Sequence, residues 1–380
     1  MARRQIRYEL NTEAFINNLN LFAGTNLSRI AHPDTLAYLM KKVPIEEISR
    51  VKKKMINRLL RMRCLEPDRL LGRYYVIAVD LTGHARFGTT KHCEKCITEK
   101  SGDKTLYYHP VLEAKLISPK GMALSVETEF VENEKGYDKQ DCELRAFYRL
   151  EKRLKKIFPQ LRICLSLDAL YANQQTFKIC EKNDWKYMIT FKKGSMRATY
   201  AESMTIKSLQ KKNRAEHERN ERKQHYAWAT EIEHEDCKTN VLECVEVKKD
   251  HAAGKRYLWL TNLEITQDNC KEIANNAGRL RWKIENEGFN MQKNGGYGLE
   301  HIYSNNAIAM KNFYLLLQIA HIISQLMEKG SLLRERIKKV FGGIRNFTRR
   351  LLEGLRTVFL SSERFRSMLS VPFQIRLDSS

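Results

Sequence analysis

The spacing of apolar residues changes near residue 74, and this change separates regions of different secondary structure. Before it, apolar residues recur at helical spacing among many basic ones, which predicts helices over residues 1–72. From Tyr74 to Asp80 the run YYVIAVD, rich in β-branched and aromatic residues, predicts a buried strand. The same criteria predict four more strands and two helices up to residue 193. The strands cover 106–118, 122–132, 161–168 and 186–193, and the helices cover 142–158 and 172–183.

Residues 194–262 interrupt this alternation of strands and helices. The charged run QKKNRAEHERNERKQ, residues 210–224, is typical of a solvated face or a loop. Three strand-like segments follow, and their order predicts a meander. They cover 225–233, 240–247 and 256–264. We therefore predict a β-rich insertion here, followed by a helix that begins near Asn269 and by further helices from about Ala307.

The order of the predicted elements indicates an α/β protein. Three antiparallel-looking strands, a helix, a strand, a helix and a strand form a layout with a mixed sheet. A ribonuclease-H-like fold has this order, so we predict a ribonuclease-H-like mixed five-stranded sheet with flanking helices, interrupted by the β-rich insertion. The predicted domains are a helical, DNA-contacting region at 1–72, a catalytic core at 73–193 and 263–330, the insertion at 194–262, and a basic helical region at 331–380.

The charge balance favours a polyanionic partner. The chain has 67 Lys and Arg residues against 45 Asp and Glu residues, a net charge of +22. Since each neutralised phosphate releases counterions, such an excess favours nucleic acid. A basic soluble protein without this function is the alternative, and the N-terminal helices could simply pack on the next domain. The long strand-like segments argue against a membrane-surface protein.

The sequence favours the cytoplasm, in association with the nucleoid. Its first fifteen residues include no apolar segment of the kind that a signal peptide needs. The most apolar segment, Phe313 to Met327, is too short to span a bilayer and contains Gln318, His321 and Gln325, so we predict a core helix. Nine cysteines spread along the chain indicate reduced thiols rather than a disulfide framework.

Two aspartates follow apolar runs at strand ends. Asp80 ends the first predicted strand and Asp168 ends the fourth. If these strands are parallel neighbours, both carboxylates face one crevice at the carboxyl edge of the sheet. They would repel each other unless cations lie between them, and Mg²⁺ prefers such oxygen ligands. The alternative for each Asp is a turn former or the N-cap of the next segment.

A third acid is expected from the helix that contains RWKIENEGFNMQK. On a helical wheel Trp282 and Phe289 mark a buried face, Glu285 borders that face, and Glu287 points to solvent. Arg281 lies one turn before Glu285 on the same side. The alternative is an ordinary Arg–Glu pair between successive turns of a surface helix.

Together these stretches resemble the DDE transposases of the insertion-sequence-four family. That family carries Asp, Asp and Glu on a ribonuclease-H-like core, with a β-rich insertion before the Glu helix. Its signature is Tyr, two residues, Arg, three residues, Glu, six residues, Lys. Arg281 and Glu285 fit this signature, whereas Gly278 stands in place of Tyr and Gln292 in place of Lys, with Lys293 one residue later. The resemblance covers about residues 74–330.

The resemblance implies cut-and-paste DNA transposition. Asp80, Asp168 and Glu285 would be the catalytic, metal-binding triad, with two Mg²⁺ ions for which Mn²⁺ can substitute. Arg281 and Lys293 would hold DNA phosphate near the scissile bond. The partners would be double-stranded DNA, as terminal inverted repeats and as target, bound by a dimer. A structure-specific nuclease or resolvase on the same core and a catalytically silent DNA-binding derivative are the alternatives.

Two further residues are candidates for DNA binding. Trp228 lies in the β-rich insertion, a region that in the resembling family can hold an extruded base, and an aromatic ring could stack on it. Core packing is the alternative for Trp228. Lys192 follows the fifth predicted strand at the expected active edge and could contact phosphate, or it could be a solvated lysine.

The segment KHCEKC suggests a structural metal site. Cys93 and Cys96 have the CxxC spacing that suits Zn²⁺, and His109 follows after twelve residues. His92 or Cys142 could be the fourth ligand. Since there is a single CxxC and His109 lies in a predicted strand, a reduced thiol pair in a hairpin is the alternative.

Overall fold

The computed structural model describes residues 5–91, 95–134, 136–248, 254–371 and 375–377. The chain forms two compact units. One comprises residues 65–291, and the other comprises Met1–Cys64 together with Gln292–Ser380. The candidate catalytic acids all belong to the first unit.

The first unit is built on one mixed sheet of ten strands in its described part. Its order is β2-β3-β1-β5-β6-β10-β9-β8-β7, with β4 paired to β3 off this path. The strands are β1 Tyr75–Gly88, β2 Ile97–Ser101, β3 Lys104–Ile117, β4 Ala123–Phe130, β5 Ile163–Leu167, β6 Lys186–Thr190, β7 Arg214–Arg219, β8 Arg222–His234, β9 Cys237–Lys248 and β10 Lys255–Thr261.

Strand directions within the sheet place the candidate acids. The β1–β3 and β3–β4 pairs are antiparallel, whereas β5 is parallel both to β1 and to β6. The predicted α/β class with a mixed sheet is confirmed. The prediction of five strands is wrong, because the short polar strand β2 extends one side and β10 pairs antiparallel with β6 on the other.

The β-rich insertion contains the predicted meander, since β8, β9 and β10 pair antiparallel in order. The charged run before it is a strand hairpin rather than a loop: β7 pairs with β8. Asn220 and Glu221 connect them with φ values of 48° and 61°, as a two-residue hairpin turn requires. Side chains of β7 alternate between exposed and half-buried, so charged residues fit the open face.

Helices cover the sheet and complete this unit. They are α5 Glu143–Ile157, α6 Gln174–Asn183 and α7 Arg197–Leu209, the numbers α1 to α4 being those of the N-terminal helices below. Helix α7 lies inside the range predicted as β-rich, and its buried residues are Thr199 and Ser203, so it has little apolar periodicity to reveal it.

A composite helix follows β10. Its successive segments are α-helical Cys270–Ile273, π-helical Ala274–Gly278, 3₁₀-helical Arg279–Trp282, π-helical Ile284–Phe289 and α-helical Asn290–Asn294. In a π turn the hydrogen bond closes one residue farther along, so the wheel of a regular α-helix no longer gives the direction of each side chain.

The second unit is helical. Its helices are α1 Ile6–Glu9, α2 Glu13–Ala23, α3 Pro33–Lys42, α4 Ile45–Arg61, then Ala307–Lys329, Arg334–Arg336 with the π turn Ile337–Phe341, Ile344–Thr357 and Ser362–Ser370. The helical reading of the N-terminal region therefore holds along its described part.

The helix Ala307–Lys329 is longer than the predicted segment and long enough to cross a membrane, but half of its most apolar window is buried inside the structure. Gln318 and His321 on this helix both receive hydrogen bonds from buried Gln292. Asn312 donates to the carbonyl oxygens of Met40 and Val43. These polar contacts fit a core helix.

Candidate active site

Asp80 and Asp168 lie at equivalent positions on neighbouring parallel strands. The last pair between β1 and β5 is Ala78 with Ser166, and each Asp lies two residues beyond it. Neighbouring strands are about 5 Å apart, and residues two apart share a face of the sheet. The two carboxylates are therefore neighbours on one face, the face on which Ser166 Oγ donates to the carbonyl oxygen of Ala277 in the composite helix.

Asp80 was predicted to end its strand, but it lies within the 14-residue strand β1. The strand continues because β3 pairs with it as far as Gly88, whereas pairing with β5 stops at Ala78. Asp80 therefore stands where β1 loses its parallel neighbour, and this opens the edge of the sheet beside it.

The Asp80 carboxylate has two hydrogen bonds. Its Oδ2 accepts from Arg281 Nη1 at 3.2 Å, and its Oδ1 accepts from the backbone N–H of Leu81 at 3.1 Å. Burial raises the pKa of Asp80, the charge of Arg281 opposes this, and the nearby charges of Asp168 and Glu285 raise the pKa further. The three predicted acids are therefore close enough to interact electrostatically.

Asp168 follows β5 directly and also serves as a helix cap. Its Oδ1 accepts from the backbone N–H of Leu170 at 2.8 Å, which caps the 3₁₀ turn Ala169–Tyr171. Asp168 therefore is an N-cap, which was the alternative, and also lies at the edge of the sheet, as predicted. The cap fixes the carboxylate next to Asp80 rather than excluding it from chemistry.

Glu285 lies in the second π turn of the composite helix, one turn after Arg281. Phe289 is buried as predicted, but Trp282 is 57% exposed, so the prediction of a buried Trp282 is wrong. Glu287 does not simply point to solvent either, since its Oε1 accepts from Lys283 Nζ at 2.7 Å. The π turns explain these differences, because they shift side chains around the helix axis.

The space beside Gly278, the position at which the resembling family has Tyr, is occupied by a side chain from strand β10. A Cβ atom built on Gly278 would lie 2.5 Å from Cε2 of Trp259 in β10. Trp259 itself is buried. The indole of Trp259 thus occupies the space into which a side chain at position 278 would extend.

A fourth carboxylate, Glu143, belongs to the same acidic group, and sequence reasoning missed it. Its Oε1 accepts from the hydroxyl of buried Tyr171 at 2.7 Å. Burial raises the pKa of Glu143 to about 7; the Tyr171 hydrogen bond opposes this rise, and the charges of Asp168 and Asp80 add to it. The sequence signal was weak, because an acid in the first turn of a helix is an ordinary feature.

The oxygen ligands of this site suit Mg²⁺, which binds through few carboxylates and keeps water and substrate oxygens. Among the described residues, no group of three or more His, Cys, Asp or Glu side chains is arranged to hold a metal ion. Asp80 is paired with Arg281 in this arrangement, and Asp168 is engaged as a cap. The donor chemistry therefore fits a divalent cation, although the side chains do not form a closed set of ligands.

The predicted DNA-binding residues differ in exposure. Lys192 is exposed just after β6, whereas Trp228 is only 3% exposed in β8 and cannot stack on a base as it stands. Lys293, in the helical unit, has Nζ 3.9 Å from Glu300 Oε1. Gln292 beside it is buried and donates to Gln318 at 2.8 Å.

A basic pocket lies beside the composite helix in the first unit. It has a volume of about 490 Å³ and is lined by Arg219, Lys255, Tyr257, Asn275, Arg279, Leu280, Trp282, Lys283 and Asn286. The guanidinium of Arg279 lies 4.8 Å from the centre of the Tyr257 ring, and that of Arg281 lies 5.1 Å from the Trp282 ring. Trp282 is exposed and Tyr257 is half-buried, and a cation beside an exposed ring is an arrangement that can stack on nucleic-acid bases.

Some residues of the predicted zinc site lie in the described part of the chain, and others lie outside it. Cys93 and His92 lie outside the described residues. Cys96 and His109 are brought together, with Sγ and Nε2 3.6 Å apart. Cys142, the other predicted fourth ligand, is exposed at the start of α5.

Comparison with models of known protein families finds no match for this chain. Comparison with curated proteins finds none either.

Proposed function

We propose that this chain is a DNA transposase that cuts element ends and joins them to target DNA. Asp80, Asp168 and Glu285 form its catalytic triad. The observation that carries the proposal is that Asp80 and Asp168 each lie two residues beyond the last pair of the parallel strands β1 and β5, beside the helix that contains Arg281 and Glu285. The charges of Asp168 and Glu285 both act on Asp80, which supports one shared acidic centre.

The strand order supports a ribonuclease-H-like core. The series β4-β3-β1-β5-β6 has two antiparallel pairs followed by two parallel pairs. This is the arrangement expected from the predicted order of elements. The insertion also falls between β6 and the composite helix, where the resembling family has it.

Phosphoryl transfer asks little covalent chemistry of the protein, so positioning and charge dominate catalysis. In hydrolysis, a water oxygen bonds to phosphorus and the leaving 3′ oxygen takes a proton. In strand transfer, the 3′-OH attacks a target phosphate and releases a new 3′-OH in turn. Mg²⁺ held by Asp80, Asp168 and Glu285, or Mn²⁺ in its place, would supply charge stabilisation for the attacking and leaving oxygens.

The chain's own residues position the reacting groups. The Asp168 cap and the Arg281–Asp80 ion pair fix two of the acids on rigid elements. Arg281, which pairs with Asp80, would contact the scissile phosphate, and Lys192 and Lys293 would contact the DNA backbone. A dimer on DNA and a cytoplasmic, nucleoid-associated location are parts of the same proposal.

The test uses purified protein with DNA that carries the terminal repeats flanking its gene, and Mg²⁺ or Mn²⁺. Asp168→Asn is the informative variant, because Asn keeps the cap on Leu170 and removes the charge. We expect cleavage and joining to fall by about a thousandfold or more, equivalent to about 4 kcal/mol of transition-state stabilisation. Glu287→Gln is the control, since Glu287 is a carboxylate on the helix of Glu285 but pairs with Lys283 instead of belonging to the triad, and it should retain activity.

Each other outcome points to a different function. Strand transfer that survives Asp168→Asn would remove the triad from the mechanism. Cleavage by the wild-type protein without joining would favour a nuclease or resolvase. Specific DNA binding with neither cleavage nor joining would favour a silent DNA-binding derivative.

A further inference from the structure

The last helices of the second unit carry an excess of positive charge that the proposed catalytic site does not use. Residues 331–380 contain eleven Lys and Arg residues against four Asp and Glu residues. Three of these cations, Arg345, Arg349 and Arg350, lie in the first two turns of the helix Ile344–Thr357, and all three are exposed. They span about 140° around the helix axis, so one surface presents all of them, and together they form the arginine cluster.

The arginine cluster does not stabilise the helix that carries it. In the described part of the chain, none of its three guanidinium groups has an ion pair or a hydrogen bond. Arg345 and Arg349 are one turn apart and therefore repel each other. The first turn of the helix also contains no acid, and the positive end of the helix dipole disfavours cations there. These charges therefore lower stability, and a polyanionic partner would offset that loss.

Helix α4 is also basic, but its charges have the opposite order. Two glutamates lie in its first turn and two arginines in its last turn. This order follows the helix dipole, so stability alone explains it. In the helix Ile344–Thr357 the single acid, Glu353, has its Oε2 3.7 Å from Nη1 of Arg356 in the last turn. The acid of this helix thus faces its C-terminal end, and the arginine cluster lies towards the other end.

The helix is fixed near both ends, so a rigid element presents the arginine cluster. Near its C-terminal end, Asn18 Nδ2 in α2 donates to the carbonyl oxygens of Leu355 at 3.1 Å and Val358 at 2.8 Å. Near its N-terminal end, the ring of Phe347 lies edge-on to that of Phe341, with ring centres 5.2 Å apart. A helix that is already ordered loses less entropy when it binds a partner.

We propose that the arginine cluster binds the phosphate backbone of double-stranded DNA, at a site in the helical unit that adds to the catalytic site of the first unit. Guanidinium groups donate to phosphate oxygens in a fixed fork geometry, and each contact releases counterions. A membrane surface is less suited, because the helix packs against α2 and its Phe347 and Leu355 are half-buried rather than free to enter a bilayer. The choice of DNA as the polyanion rests on the proposed function.

The test measures binding of full-length protein to a labelled duplex of about 30 base pairs by fluorescence anisotropy at several salt concentrations. EDTA is present, so binding is observed apart from cleavage. The glutamine variant combines Arg345→Gln, Arg349→Gln and Arg350→Gln. We expect it to lower the slope of log Kd against log salt concentration by about 1 for each arginine, and to weaken binding by about a hundredfold near 0.1 M salt.

Two controls separate local contact from net charge. The combination of Lys152→Gln, Lys156→Gln and Lys182→Gln removes three exposed cations from α5 and α6 of the first unit, and it should leave the salt slope unchanged. Replacing the whole arginine cluster by Lys keeps its charges and should retain most of the slope. Thermal unfolding should show the glutamine variant to be at least as stable as wild type, because repulsion within the helix is reduced.

An unchanged salt slope in the glutamine variant, or no binding of the duplex by wild type, would overturn the proposal. Vesicles of anionic phospholipid are a necessary comparison, because Leu351, Val358 and Phe359 are exposed. Vesicle binding that the glutamine variant loses while it keeps DNA binding would overturn DNA as the partner. So would a preference for duplex RNA that depends on the arginine cluster.

The same experiment distinguishes this proposal from the transposase proposal. If wild type cuts element ends and the glutamine variant binds DNA as wild type does, the arginine cluster alone is assigned wrongly. If the glutamine variant loses the salt slope as expected but wild type never cuts DNA, the catalytic proposal alone fails.

Discussion

Carboxylates in the two halves of the sheet have opposite electrostatic surroundings. In the insertion, burial alone would raise the pKa of Glu246, but hydrogen bonds from Arg279, Arg222 and Gln224 lower it to about 2. Near β1 and β5 the balance is reversed. Burial raises the pKa of Asp80 despite Arg281, and burial raises that of Glu143 to about 7.

The difference separates a structural role from a functional one. The two buried acids in the described part of the insertion are matched by cations: Glu246 by Arg279 and Arg222, Glu243 by Lys207 and Arg256. At the edge of β1 and β5, in the described part of the chain, the charges that act on Asp80 come from two acids, Asp168 and Glu285, and from one cation, Arg281. The pKa values of Asp80 and Glu143 are raised in part by neighbouring acids, and such shifts are typical of sites that bind cations or move protons.

The largest difference in stability should follow the removal of Glu246. Glu246→Gln leaves Arg279 and Arg222 without their shared carboxylate, and we expect it to lower the free energy of unfolding by about 3 kcal/mol. Asp168→Asn keeps its cap and removes a repulsive charge, so it should change stability by less than about 0.5 kcal/mol. Urea unfolding measures the free energy of unfolding of both variants. Equal losses of stability would contradict the division of these acids into a structural and a functional group.

The junction of the insertion with the composite helix should be the next most sensitive point. Gly278→Ala places a Cβ atom against the indole of buried Trp259, and overpacking of this kind costs about 2 kcal/mol. Gly194→Ala is the matched control, because nothing lies within 4 Å of a Cβ atom at that exposed glycine. Thermal unfolding of the two variants should differ clearly; if both resemble wild type, Trp259 can move aside.

The smallest effect concerns the pH dependence set by Glu143. Its pKa is raised from 4.5 to about 7 in the folded chain, so the folded state binds the proton more tightly than the unfolded state. The stability from this group is full below pH 4.5 and is lost as pH rises through about 7. Glu143→Gln should remove a pH-dependent part on the order of 1 kcal/mol, because solvent screens this half-buried carboxylate.

The measurement is urea unfolding at several pH values between 4.5 and 7.5, with EDTA present. Glu287→Gln serves as control, since its carboxylate pairs with Lys283 rather than with Tyr171. An identical pH slope for wild type and Glu143→Gln would show that burial and the neighbouring acids do not hold the proton on Glu143.

Sequence patterns predicted the elements whose signal is local. The apolar runs of β1, β3, β4, β5 and β6 and the amphipathic pattern of α5 were sufficient, because burial of one face determines each of them. Strand β2 was missed because ITEKS is a short polar edge strand. The extension of the sheet through β10 was missed because register between distant strands is a tertiary property.

The candidate site was predictable from the sequence to about the same extent as the fold. Asp80 and Asp168 stand out because each follows an apolar run, and the register of β1 and β5 then makes them neighbours. Glu143 could not be found in this way, since only the fold brings α5 to Tyr171. The exposure of Trp282 could not be found either, because the wheel used to predict it assumes a regular helix.

The π turn Ile284–Phe289 bears on how this signature should be read in other chains. One π turn takes up one residue more than an α turn, and the spacing from Glu285 to Lys293 is one residue longer than in the resembling family. A helix can thus gain a residue within a motif and lengthen one hydrogen-bonded ring rather than shift everything that follows. If the proposed function holds, a signature written with a variable gap after the Glu would match this chain, whereas one written with a fixed gap would not.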